Sequence, residues 1–125
     1  MEMTPKAKTS KLPSLSLRID LDEGRIGPGK IQLLETIHSC GSIAAAGRAM
    51  NMSFKHAWDL VNDLNRICGC AVIEPEKGGK DGGGSALTPF GLSLINRYRS
   101  IERSVAQATR EELLGLRADF CPALR

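Results

Sequence analysis

The chain has 125 residues, 42% hydrophobic and 25% charged. At that length one domain burying roughly two-thirds of its unfolded surface is expected, so disulfide or metal staples are not mandatory. The formal net charge of +3 is mild, and Lys6, Lys8 and Lys11 against Glu2 put +2 of it in the first seventeen residues. Net charge therefore names no partner, because a nucleic-acid partner would require a local basic patch. Four cysteines, Cys40, Cys68, Cys70 and Cys121, come with no secretory signal and no run of eighteen apolar residues. A cytoplasmic protein with free thiols and no membrane contact is expected. The only aromatic residues are Phe54, Trp58, Phe90, Tyr98 and Phe120, against 13 glycines, so the core must be mostly aliphatic and one segment must be loop-rich.

Residues 1–13 read as a disordered basic tail, since they offer nothing to bury. From Ser14 to Asp22 the chain alternates strictly, with Leu15, Leu17, Ile19 and Leu21 on one side, the pattern of a half-buried strand. Gly24, Gly27 and Gly29 break it. Pro28 then suits the first position of a helix to about Ser39, with Ile31, Leu34 and Ile37 inward. Ser42 caps a short helix, Ile43 to Met50, made nearly all of small residues, and Ser53 caps a third helix running to about Ile67. Two such helices across a three-residue break form a helix-turn-helix pattern. A short strand at 71–75, a Gly-rich loop at 76–84 and a second short strand at 85–87 read as a hairpin. Thr88-Pro89 opens the last helix, about 88–112. The expected fold is mainly α with a small β-wing. It is a winged helix-turn-helix domain over 14–112 with a long C-terminal dimerisation helix, and 113–125 is expected as a C-terminal tail that extends that helix or frays.

On a helical wheel Ala57, Val61, Leu64 and Cys68 mark the core face of the third helix, with Leu60 and Ile67 at its edge. Lys55, Asp59, Asn62 and Arg66 form the opposite arc, flanked by His56 and Trp58. Lys, Asn and Arg on one exposed face are side chains that read base edges or hold phosphates. Such helices present their N-terminal end to the bases, which places Ser53, Phe54, Lys55 and His56 deepest in a major groove. Asp59 is the awkward member. It either accepts from a cytosine amino group or ties down Lys55 at the i, i+4 spacing. Ser42 at the start of the second helix, Arg48 on it, and Lys77 and Lys80 on the Gly-rich loop are further phosphate candidates. In the last helix Gly91, Leu94, Tyr98, Ile101, Val105 and Ala108 recur at steps of 3 and 4, a heptad stripe that suits a partner helix.

The order Gly-x-x-x-x-Gly-Lys-Ser/Thr is absent, which excludes a phosphate-binding loop of that type. Cys68-Gly69-Cys70 lacks the paired spacing of a structural zinc site, so a buried, inert role is expected and no metal site. No nucleophile–base or paired-carboxylate constellation stands out, so no catalytic residue is assigned and the chain is expected not to be an enzyme. Asp59 and Asp63 keep open an alternative in which the fold docks another protein without reading DNA.

The run Gly41-Ser42-Ile43-Ala44-Ala45-Ala46-Gly47-Arg48-Ala49-Met50-Asn51-Met52-Ser53-Phe54-Lys55-His56-Ala57-Trp58-Asp59 is followed by Asn62 and Asn65. The segment Gly78-Gly79-Lys80-Asp81-Gly82-Gly83-Gly84-Ser85-Ala86-Leu87-Thr88-Pro89-Phe90-Gly91 comes after it. Together they resemble the DNA-binding half of the ModE family of bacterial molybdate-responsive transcriptional regulators, over roughly Leu15 to Ala108. A more distant similarity is to the N-terminal domains of LysR-type regulators. The resemblance implies a homodimer on double-stranded DNA with an inverted-repeat operator, probing the major groove with the third helix and the flanking backbone with the wing; from the helix-turn-helix, wing and heptad stripe a repressor is expected. It also implies molybdate as an effector, bound in the family by a C-terminal pair of β-barrel modules. Here about fifteen residues follow the long helix, without a Ser-Ala-Arg-Asn motif. No cofactor is therefore expected in this chain. Any oxyanion response is left either to a separate effector-domain protein or to direct sensing of molybdate or tungstate by this domain.

Overall fold

Residues 13–76 and 84–120 are described by the computed structural model. Lys77 and Lys80, with most of the predicted wing loop, lie outside the described residues, as do the predicted tail to residue 12 and Cys121. In chain order the elements are β1 (Ile19–Leu21), β2 (Gly24–Ile26), α1 (Pro28–Cys40), α2 (Ile43–Ala49), α3 (Phe54–Cys68), β3 (Ile73–Pro75), β4 (Ser85–Leu87), α4 (Pro89–Ala108) and α5 (Arg110–Asp119). The fold is mainly helical, with two separate antiparallel pairs, β1–β2 and β3–β4.

The long strand expected from Ser14 to Asp22 is three residues. It turns at Asp22-Glu23 and pairs back with β2, Ile19 facing Ile26 and Leu21 facing Gly24. Gly24 thus lies inside a strand instead of only breaking one. The alternating leucines do not share one buried face, since Leu15 and Leu21 are exposed while Leu17 and Ile19 pack against the core.

Helix α1 starts at Pro28 and buries Ile31, Leu34 and Ile37 completely, as their spacing predicts, and Leu33 as well. It ends where Gly41 adopts the left-handed conformation (φ 86°) and its N–H donates to the Ile37 carbonyl at 2.8 Å. The Ser42 hydroxyl oxygen caps α2 by accepting from the Ala45 N–H at 3.0 Å. Asn51 (φ 59°) makes the sharp reversal between α2 and α3. The two helices approach closely because Gly47 has no side chain. A β-carbon there would stand 3.2 Å from the Met52 carbonyl oxygen and 3.6 Å from Ala57. In turn α3 is capped by Ser53, which accepts from the His56 N–H at 3.0 Å.

The buried side chains run from Ile26 to Tyr98 and are aliphatic except for Tyr98. Cys68 is only half-buried at the edge of this core. Ile67, expected at the edge, is inside it. The strand expected at 71–75 begins at Ile73, because Val72 is drawn into the core and its N–H donates to the Asn65 Oδ1 at 2.9 Å. At the other side of that pair the Ser85 N–H donates to the Gly41 carbonyl at 2.8 Å, joining the base of the predicted wing to the α1–α2 turn.

Compactness divides the chain after Ser100, into one unit of Ser16–Ser100 and another that includes the segment from Ile101 onward. The reason is that buried side chains on α4 end at Tyr98, and α5 buries none. The dimerisation helix expected over 88–112 is interrupted at Thr109, whose hydroxyl donates to the Val105 carbonyl at 2.7 Å. The predicted tail is helical as far as Asp119.

Candidate nucleic-acid interface

The N-terminal half of α3 stands in solvent. Ser53, Phe54, Lys55, His56, Trp58, Asp59 and Asn62 are all exposed, while Ala57, Val61 and Leu64 anchor the opposite face in the core. This amphipathic split follows directly from the 3.6-residue period. The Lys55 ammonium lies 3.0 Å from the Asp59 carboxylate, the i, i+4 tie expected for that awkward acid. Phe54 and Trp58 meet edge to face, their ring centroids 6.5 Å apart at 84°.

Arg66, expected on the same arc, is exposed and also tied to the fold. Its guanidinium donates to the Glu23 carbonyl at 2.6 Å and to the Asp63 carboxylate at 3.0 Å, so it clamps the β1–β2 turn onto α3. Lys30 joins the cluster 3.7 Å from Asp63. The Arg66 hydrogen bond holds the Asp63 carboxyl below its ordinary pKa, with Lys30 adding to the effect. Asp63 and Arg66 were readable as an i, i+3 pair. Glu23 and Lys30 were not, because each is brought to Asp63 or Arg66 by the fold alone.

His56, expected on the flank of the arc, is exposed. It borders a groove of about 510 Å³ whose walls include Leu17, Pro28, Met50, Met52 and Leu60. Arg18, Arg25 and Lys30 also line it; Arg18 lies 2.8 Å from Asp20, and Lys30 donates to the Arg25 carbonyl at 2.8 Å. On α2, Ser42 is half-buried with its oxygen occupied as a cap, and Arg48 is exposed.

The heptad stripe of α4 divides in two. Gly91 is buried, Leu94 packs against the core, and Tyr98 is 1% exposed with its hydroxyl donating to the Leu17 carbonyl at 2.7 Å. Tyr98 is therefore a core residue and not part of a seam between chains. Ile101 and Ala108 are exposed and Val105 is half-buried. Cys40 and Cys70 are exposed free thiols, so Cys70 is not buried as expected, whereas partial burial pushes the Cys68 thiol pKa up. Among the described residues no group of three His, Cys, Asp or Glu side chains could hold a metal ion, and no helix is long and apolar enough to cross a membrane.

The chain is 40% identical over 101 residues to the molybdenum-pterin-binding protein MopB of Rhodobacter capsulatus, a match covering 81% of this chain and 37% of that protein. It is 39% identical over 83 residues to the transcriptional regulator ModE of Haemophilus influenzae, covering 66% of this chain and 32% of the regulator. Against the DNA-binding transcriptional dual regulator ModE of Escherichia coli it is 39% identical over 71 residues, 57% of this chain and 27% of that protein. The chain is similar to ModE and Mop proteins. It spans about a third of the length of these curated relatives. No protein-family model matches the chain.

Proposed function

We propose that this chain is a DNA-binding transcriptional regulator of the ModE type, a winged helix-turn-helix protein that inserts the N-terminal half of α3 in the major groove. The observation that carries the reading is the α2–α3 pair. Gly47 lets the two helices close on each other while Ser53, Lys55 and Asn62 stay in solvent. Similarity to regulators named as DNA-binding supports it. In this reading Lys55 and Asn62 address bases or phosphates, Arg48 reaches the backbone, and Lys77 and Lys80 supply the wing contact. The chain acts as a homodimer on an inverted repeat and represses transcription, its seam built from Ile101, Val105 and Ala108.

Asp59 and Asp63 favoured the protein-docking alternative slightly. Each has a cation beside it, Lys55 for Asp59 and Arg66 and Lys30 for Asp63, and that alternative is not the better supported one. Molybdenum stands in the name of MopB. A molybdate anion would need several donors converging on one point; at the groove Arg18 and Lys30 have partners within the fold, and Arg25 also lines it. The reading passes no step through such an anion.

The test is selection of duplexes from a randomised pool by the full chain, followed by titration at several salt concentrations. Lys55→Ala and Lys80→Ala are expected to weaken the selected complex. Loss of a phosphate contact flattens the salt slope by about 1, and loss of a base contact costs about 1 to 3 kcal/mol and relaxes specificity. Molybdate is expected to leave the affinity of this chain unchanged. Failure to select any duplex overturns the reading.

A further inference from the structure

The proposed function leaves one exposed feature of α3 unused. Phe54 is 54% exposed and Trp58 37% exposed, the two largest apolar side chains on a helix face that otherwise carries Lys55, Asp59 and Asn62. The exposed part of each ring forgoes the stabilisation that full burial would provide. That contact is specific. The rings stand edge to face at 84°, one helical turn apart, which keeps each from swinging freely and makes a rigid apolar ledge at the end of α3 nearest its capping serine. A B-form major groove offers one apolar group to such a ledge, the C5-methyl of thymine, and apolar side chains on a groove-bound helix read it by contact.

We propose that Phe54 and Trp58 form a thymine-methyl reader, so that the chain discriminates thymine from cytosine by apolar contact at positions beside those addressed by Lys55 and Asn62. The inference rests on the DNA-binding reading above and adds to it the base group recognised. Steric and chemical argument both favour this occupant. The hydrogen-bonding neighbours Lys55 and Asn62 suit base edges and phosphates, and the paired rings supply the only contact such side chains cannot make. A wedge between base steps would instead require the rings to part, at the cost of their edge-to-face contact.

The experiment uses the full chain and duplexes selected from a randomised pool, with thymine replaced by uracil one position at a time, which deletes only the methyl. Affinity is expected to fall about three- to five-fold at one or two positions per half-site, the value of one buried methyl-sized group. Phe54→Ala and Trp58→Ala are expected to bind the thymine duplex more weakly and to be indifferent to uracil at those same positions. Because Trp58 is the single tryptophan of the chain, its emission reports directly on the ledge and is expected to change on duplex binding. Sequence-selective binding by the unaltered chain that is insensitive to uracil at every position overturns the inference and leaves the DNA reading standing. An unchanged Trp58 emission in the complex also overturns it. A chain that selects no duplex overturns both, so the two failures are told apart. The uracil series on the unaltered chain needs no variant to fold, and Phe54→Leu and Trp58→Phe, which keep apolar bulk, are expected to retain part of the uracil sensitivity.

Discussion

Gly91 shows how much a single position depends on a distant neighbour. Its N–H donates to the Thr88 hydroxyl oxygen at 2.9 Å, the cap predicted for α4, but a β-carbon on Gly91 would collide with the Val72 carbonyl. That carbonyl already accepts from the Thr88 N–H at 3.0 Å, so it cannot move without breaking the junction between β4 and α4. Gly91→Ala is therefore expected to destabilise the fold by about 2 to 3 kcal/mol, as overpacking does, measured by urea denaturation. An unaltered midpoint would mean that the junction yields. The chain places Gly91 on the heptad stripe, and the spacing was real. What the stripe faces could not be read there, and the same holds for Tyr98, whose hydroxyl partner Leu17 lies 81 residues away. Arg66 carries the same lesson for the candidate interface, since one helical wheel put it beside Asn62 while its hydrogen bond to Glu23 spans 43 residues.

Caps and turns were the most legible features of the helices. Ser42 and Ser53 each accept from the N–H three residues on, and Gly41 and Gly69 end their helices with left-handed backbone, all within one turn of the residue concerned. Replacing Ser53 with alanine is expected to cost about 1 kcal/mol of stability. Its effect on DNA affinity should be larger than its effect on stability explains, because the cap holds the first turn of α3 in which Phe54 and Lys55 stand. Thermal unfolding and duplex titration on the same variant separate the two, and parallel losses would remove the positional role. Strand β2 was missed for a physical reason. Three residues with a glycine at the end carry no periodic signal, and the strand exists because its partner β1 and the Arg66 clamp hold the intervening turn. The N-terminal half of the candidate site was legible because it lies on one helix. Its C-terminal limit was not.

At the scale of the whole molecule, an ion pair ties the first helix of the larger unit to its last. The Arg99 guanidinium grips the Glu35 carboxylate with two hydrogen bonds, at 2.9 and 2.7 Å, joining α1 to α4. Arg99 also lies 5.6 Å from the Tyr98 ring centre. The Arg99 hydrogen bond holds the Glu35 carboxyl below its ordinary value, partial burial opposing it. A carboxyl whose folded pKa is depressed contributes stability above its ordinary titration near pH 4.5, and that contribution is lost as pH falls through the lower folded value. Both side chains are about a third exposed, and solvent screening limits the pair to about 1 kcal/mol. Glu35→Gln is thus expected to unfold more readily than the unaltered chain at pH 7 and to match it once Glu35 is protonated, as read from denaturation at a series of pH values. A gap that persists in acid would assign the effect to packing.

Local signals in the chain were enough for the helices of the core, their caps, the small-residue helix α2 with the tight break after it and the exposed face of α3, because each depends on interactions reaching three or four residues. Only the tertiary structure decided that Tyr98 closes the core, that Arg66 holds a hairpin, that Glu35 meets Arg99 and that compact packing stops after Ser100. Those outcomes turn on which of several equally apolar or equally charged faces finds a partner from a remote part of the chain, and periodicity is blind to that choice.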